Sequence, residues 1–127
     1  MAILCAHAAL EASMNEAGDK IDSAWWATHE RGKLPGKWSA LVERQTGTKP
    51  AGSPALHAVR RLNKDRNLVA HFRGVPWHGG GLAVSAPPVK RRGGISAVRA
   101  YFDADRAAAA VRDAHEAINA LSATGAL

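Results

Sequence analysis

One short stretch of the chain combines residue types that could act together on a phosphate. Arg66 is followed directly by Asn67, and His71 comes four residues after Asn67. Arginine carries a permanent charge on a planar group that fits phosphate, and histidine exchanges protons near neutral pH. RNA cleavage by its own 2′-hydroxyl needs a proton acceptor, a proton donor and positive charge beside the phosphorus. We therefore expect Arg66, Asn67 and His71 to be catalytic, with no cofactor.

Helix geometry sets a condition on this site. At 100° per residue, Asn67 and His71 lie about 40° apart and share a face, whereas Arg66 and His71 lie about 140° apart. Arg66 and His71 can converge on one phosphate only if the helix ends near His71 or a second chain closes the site.

Four more basic residues flank the motif, and the chain carries a net charge of +6. Such a balance favours polyanionic partners, either nucleic acid or an anionic membrane. A charge run on a helix is, however, usually a solvated face. We predict that RNA is the partner and that its backbone is bound by the residues Arg60, Arg61, Lys64 and Arg73.

Other chemistries fit the sequence less well. The spacing of His57, His71 and His78 matches no compact zinc pattern, so no metal site is expected. His7 and His29 have nothing at ligand spacing and are expected at the surface.

The single cysteine and the character of the first residues suggest the cellular compartment. The lone Cys5 cannot form an internal disulfide and suits a reducing environment. The first ten residues lack the charged start of a targeting signal, and no apolar run approaches the roughly 18 residues that span a bilayer. We expect a cytoplasmic protein with no membrane partner.

These residues must be positioned by helices, because alanine is abundant and β-branched and aromatic residues are few. A chain of 127 residues is expected to form one domain. The fold class predicted is all-α, a small bundle of about four helices. Hydrophobic periodicity places them at 2 to about 30, about 37–45, 54 to about 72, and about 104–122.

End signals support several of these boundaries. Ser53 followed by Pro54 is a strong helix start, Gly47 follows the second helix, and Asp103 is an N-cap candidate for the last. Between the motif helix and the last helix we expect a long irregular loop over 74–94 or a short β-hairpin, with strands at 82–84 and 98–102.

The apolar positions of the two later helices predict which faces are buried. In the motif helix these positions are Leu56, Val59, Leu62, Val69 and Phe72. In the last helix they are Ala107, Val111, Ala114, Ile118 and Leu121.

The Arg-Asn-x-x-x-His sequence, late in a long helix of a small bundle, resembles the signature of the HEPN superfamily (higher eukaryotes and prokaryotes nucleotide-binding domains). The order of long, short, motif and final helix agrees over most of residues 1–127. The resemblance implies a metal-independent endoribonuclease of a toxin–antitoxin or antiviral-defence system, acting as a homodimer with a composite cleft. Arg66 would then stabilise the phosphate, Asn67 would orient it, His71 would be the general acid/base, and Glu11 a supporting acid.

One departure from the family pattern bears on the partner. Toxins controlled by a nucleotidyltransferase antitoxin often carry tyrosine two residues after the histidine, where this chain has Arg73. The identity of a cognate antitoxin or defence partner protein is therefore left open. Two alternatives also stay open: a non-catalytic HEPN-like module that binds RNA, nucleotide or a partner protein, and a small helical interaction protein in which the motif has no role.

Overall fold

A computed structural model describes the backbone of residues 1–74 and 104–127, and the side chains of 1–70 and 104–127. In these ranges the chain forms four helices and no strand, which confirms the prediction of a small all-α bundle. The helices are α1 (Ala2–Ala27), α2 (Leu34–Thr46), α3 (Pro54–Gly74) and α4 (Ala104–Ala123). None of the helices described is long and apolar enough to cross a membrane. The predicted hairpin, the 74–94 loop and the Asp103 cap lie outside the described residues.

Helix α1 buries one stripe and then bends at Asp22, whose φ of −169° and ψ of 99° are not helical. The Asp22 carboxylate accepts a hydrogen bond from the Trp25 backbone N–H at 3.0 Å and so caps the turn that follows. Beyond the bend, Trp26 lies against Gly18, where a Cβ would overlap the indole ring. The bend therefore lets the Trp26 indole pack directly against Gly18 and close the core.

Helix α2 begins three residues earlier than the sequence predicted. The predicted start at about residue 37 was wrong, because Pro35 lies in the first turn of a helix that starts at Leu34. Proline is tolerated there because its missing N–H would have no intrahelical partner. The helix ends as predicted at Gly47, whose left-handed φ of 74° lets its N–H donate to the Glu43 carbonyl at 2.8 Å.

Helix α3 starts as predicted. The Ser53 hydroxyl oxygen accepts a hydrogen bond from the Leu56 N–H at 3.2 Å, and Pro54 occupies the first helical position. Leu56, Val59 and Leu62 are buried as expected.

Helix α4 buries part of its predicted face, since Ala114 and Leu121 lie in the core and Ile118 packs against it. Val111 is 53% exposed, and the residues in the core are Ala110, Ala114, Ala117 and Leu121. Small side chains let α4 approach closely, and the Trp38 indole N–H reaches the Ala117 carbonyl oxygen at 3.2 Å. The prediction weighted valine by its hydrophobicity, whereas close packing against tryptophan selects alanine.

Two ion pairs join α3 to α4. The Arg61 guanidinium donates two hydrogen bonds to the Asp113 carboxylate, at 3.2 and 2.8 Å. One turn further along α3, the buried Asp65 accepts a bond from Arg106 at 3.3 Å. These contacts fix the rotation of the motif helix, and with it the direction in which Arg66 and Asn67 point.

Candidate active-site cleft

A cleft of about 350 Å³ opens where α3 meets α1 and the start of α2. It brings the motif residues Arg66 and Asn67 of α3 together with Glu11 of α1, which the sequence nominated separately. It also contains His7, which the sequence placed at the surface. The lining consists of His7, Glu11, Gly32, Lys33, Leu34, Asn63, Arg66 and Asn67.

A buried lysine anchors the acidic wall of the cleft. Lys37 is 3% exposed, and its ammonium donates to the Glu11 carboxylate at 2.7 Å and to the Glu30 carbonyl at 3.0 Å. The second carboxylate oxygen of Glu11 lies 3.8 Å from His7 Nδ1. Glu11 therefore stands between a fixed cation and an imidazole, which limits its rotation.

The protonation states of this group follow from its surroundings. Burial lowers the pKa of His7 below its usual 6.5. The negative charge of Glu11 opposes this shift, and the positive charges of Arg66 and Lys37 add to it. The hydrogen bond from Lys37 holds the pKa of Glu11 below its usual 4.5. At neutral pH the imidazole is thus neutral and the carboxylate is ionised, which are the states of a proton acceptor and its supporting anion.

The expectation that His7 is a surface residue is wrong, since only 9% of it is exposed. The sequence carried a usable signal. His7 and Glu11 are four residues apart on α1, so they share a face, and His7 lies between the buried positions Ala6 and Leu10.

Arg66 and Asn67 are both exposed at the cleft. The guanidinium of Arg66 donates to the Asn67 side-chain oxygen at 3.2 Å. Among the described residues it makes no ion pair with a carboxylate, in contrast to Arg44, Arg61 and Arg106. Its charge therefore remains available to an anion that enters the cleft.

A second cavity, of about 490 Å³, adjoins the first along α3. Asn63 and Asn67 line both cavities, so together these form one groove, which we call the basic groove. Two of the predicted RNA-binding residues, Arg60 and Lys64, line the second cavity. Its full lining is Pro35, Arg60, Asn63, Lys64, Asn67 and Leu68.

Asn63 was missed by the sequence analysis, although it lies one helical turn before Asn67 and therefore on the same face. Arg61, predicted to bind RNA, is instead bonded to Asp113 on the side of α3 that contacts α4. His71 and Arg73 lie in the last turns of α3, but their side chains lie outside the described residues.

No family model, curated protein or solved structure matches this chain. The resemblance to the HEPN superfamily thus rests on the motif and the helix order alone. Within the described ranges, no group of three or more His, Cys, Asp or Glu side chains could hold a metal ion.

Proposed function

We propose that this protein is a metal-independent endoribonuclease of the HEPN type, acting as a toxin or antiviral-defence effector. The observation that carries the proposal is the basic groove. It combines the motif residues Arg66 and Asn67 with a neutral imidazole, an ionised carboxylate and three further cations. That combination offers phosphate binding and proton transfer on one surface, which RNA cleavage requires.

The groove suits a single RNA strand. Arg60 and Arg66 are six residues apart on α3, about 9 Å along the helix axis, and Lys64 lies between them. Cations at both ends would hold the backbone, while the amides of Asn63 and Asn67 on the floor would donate to and accept from nearby polar groups. Arg66, at the end nearer His7 and Glu11, would bind the phosphate that reacts.

The proposed reaction needs two proton transfers, one from the attacking 2′-hydroxyl and one to the departing 5′-oxygen. The 2′-hydroxyl loses its proton, its oxygen attacks phosphorus, and the bond from phosphorus to the 5′-oxygen breaks as that oxygen gains a proton. Arg66 would stabilise the charge that builds on the phosphorane, and His71 would serve in proton transfer. Because Arg66 and His71 diverge by about 140° on one helix, we propose that His71 comes from the second subunit of a homodimer.

An RNA-cleavage assay in EDTA tests the function directly. We expect wild-type protein to cut cellular RNA, and Arg66→Ala to cut it about 100-fold to 1000-fold more slowly. His71→Ala should lose about 100-fold or more. Matched controls are available on α4, where the exposed Arg112 and His115 can be replaced with alanine. Absence of cleavage by wild-type protein, or full activity of Arg66→Ala, would exclude the proposal.

A subunit-mixing experiment tests the composite site. Arg66→Ala and His71→Ala proteins are unfolded together, refolded and assayed. If each site takes Arg66 and His71 from different chains, the mixture regains about a quarter of wild-type activity, because half of the dimers are mixed and each has one intact site. No regain, with a dimer shown by light scattering, would place both residues of a site in one chain.

The alternative function is a non-catalytic module that binds RNA, a nucleotide or a partner protein. The cations and amides of the groove favour this reading too, since they would bind an anionic strand without any proton transfer. It predicts salt-dependent RNA binding by wild-type and His71→Ala proteins alike, with no cleavage by either. Fluorescence anisotropy at two salt concentrations, run beside the cleavage assay, separates the two functions.

A further inference from the structure

The cleft contains an imidazole that the motif does not account for. Cleavage by the 2′-hydroxyl needs a proton acceptor on one side of the phosphorus and a proton donor on the other. His71 alone would have to serve both roles or leave one to water. His7 lines the same cleft as Arg66 and comes from the same chain.

We propose that His7 is the proton acceptor for the 2′-hydroxyl, and that Glu11 and Lys37 are positioning residues that hold it in place. This inference rests on the ribonuclease function proposed above. It assigns the two proton transfers to two histidines, one on α1 and the other, His71, on α3 of the second subunit.

Charged groups lie beside His7 in the order that a general base uses, with the carboxylate slightly beyond hydrogen-bond distance. Its Nδ1 faces the Glu11 carboxylate at 3.8 Å, and the Lys37 ammonium fixes that carboxylate from the other side at 2.7 Å. A carboxylate beside one ring nitrogen orients the ring and stabilises the imidazolium that forms when the other nitrogen takes a proton. The chain Lys37–Glu11–His7 runs from the core to the cleft wall.

The charged groups that face His7 come from all three helices around the cleft. Glu11 on α1 favours the imidazolium, whereas Lys37 on α2 and Arg66 on α3 disfavour it, as does burial. The resting imidazole is therefore neutral and able to accept a proton at neutral pH. A bound phosphate would offset the charge of Arg66 and make that proton easier to accept.

The proposed reaction couples two proton transfers to the exchange of one phosphorus–oxygen bond for another. The 2′-oxygen passes its proton to His7 and forms a bond to phosphorus, and the bond from phosphorus to the 5′-oxygen breaks. His71 of the second subunit gives a proton to the departing 5′-oxygen. The products are a 2′,3′-cyclic phosphate, a 5′-hydroxyl, a protonated His7 and a neutral His71, which exchange their protons with water before the next turnover.

The first test compares His7→Gln with wild-type protein, using the exposed His115→Gln as the matched control. We expect cleavage by His7→Gln to fall about 100-fold or more, while its helical circular dichroism and its RNA affinity stay at the wild-type level. Cleavage by His7→Gln at the wild-type rate would overturn this inference and leave the ribonuclease function intact. Absence of cleavage by wild-type protein would overturn both.

The pH–rate profile covers the case in which His7→Gln folds poorly. In wild-type protein the rate should rise with pH through the pKa of a free-enzyme base, with a midpoint below the usual imidazole value of 6.5. Proton NMR of the His7 ring in the same protein should titrate with that midpoint. A rate that does not follow the His7 titration would overturn the assignment.

Subunit mixing gives a third readout. His7→Gln mixed with His71→Ala should regain about a quarter of wild-type activity, because one site then has all its residues. His7→Gln mixed with Arg66→Ala should regain nothing, because His7 and Arg66 serve the same site from the same chain. Regain in the second mixture would overturn the inference.

Discussion

Two regions of this bundle bury a charged residue against a more exposed partner, and they do so with opposite signs. At the cleft the buried member is the cation Lys37, and its partner Glu11 has a side chain that is 41% exposed. Between α3 and α4 the buried member is the carboxylate of Asp113, whose side chain is 10% exposed, and its partner Arg61 is 54% exposed. In the first region the ion pair adjoins an imidazole, His7, on the wall of a cavity.

The difference separates an ion pair that holds two helices together from one that also lies beside a titratable side chain at a cavity. Asp113 and Arg61 satisfy each other by two hydrogen bonds, and the pair completes the contact between their helices. Glu11 instead uses one oxygen for Lys37 and presents the other to His7, on the wall of a cavity. Two substitutions and a change of pH, ordered from the largest expected effect to the smallest, test this contrast.

The largest effect on stability is expected from Glu11→Ala. The change leaves the Lys37 ammonium buried with only the Glu30 carbonyl as a partner, at a cost of about 3 kcal/mol in the free energy of unfolding. Lys37→Met should cost less, because it removes the buried charge and keeps the length of the side chain. Urea unfolding measures both, and a larger loss in Lys37→Met than in Glu11→Ala would contradict this account.

A smaller effect is expected from Arg61→Ala. Asp113 then loses both hydrogen bonds while largely buried, which costs about 1.5 kcal/mol. The neighbouring Arg60→Ala is the matched control, because Arg60 is exposed and lines the basic groove; its effect should stay within about 0.5 kcal/mol. RNA affinity should show the opposite pattern to stability: it should fall in Arg60→Ala and stay unchanged in Arg61→Ala. Equal affinity losses would show that Arg61 also contacts RNA.

The smallest effect is expected from mild acid acting on two groups of the cleft, His7 and Glu11. The lowered pKa of His7 means that the unfolded chain binds more protons at this position, so stability falls as pH drops below 6.5. The pKa of Glu11 is also lowered. Its ionised carboxylate therefore contributes stability that is present above pH 4.5 and is lost as the pH falls through its folded pKa. The pKa of Arg61 is raised by its hydrogen bonds to the Asp113 carboxylate, so this guanidinium keeps its charge throughout this mildly acidic range.

Urea midpoints between pH 7.5 and 4 check this prediction. The wild-type midpoint should decline on acidification, and His7→Gln should flatten the upper part of the decline, whereas His115→Gln should not. A wild-type midpoint that stays constant from pH 7.5 to 5 would contradict the direction given for His7.

The sequence predicted the helices well because their signals are local. Ser53 with Pro54, the terminator Gly47 and the apolar spacing of Leu56, Val59 and Leu62 act within a few residues. It failed at Val111 because the face of a helix that enters the core depends on its neighbours. Alanines fit against Trp38, and hydrophobicity alone does not reveal this.

The site was predicted in part for a similar reason. The motif singled out Arg66 and Asn67, and the family resemblance suggested Glu11 as an acid; all three line the cleft. His7 and Lys37 were missed because their importance arises from contacts between helices. Lys37 Nζ meets a carboxylate 26 residues away in sequence, and composition gives no sign of such a pairing.

The two hydrogen bonds of Lys37 also have an evolutionary consequence. One ammonium group restrains Glu11 on α1 and the Glu30 carbonyl just before the cleft residues Gly32 and Lys33. A change at position 37 would alter both the folding of the chain and the wall of the cleft, so selection could not adjust either alone. In descendants of this chain we therefore expect positions 11 and 37 to be replaced together.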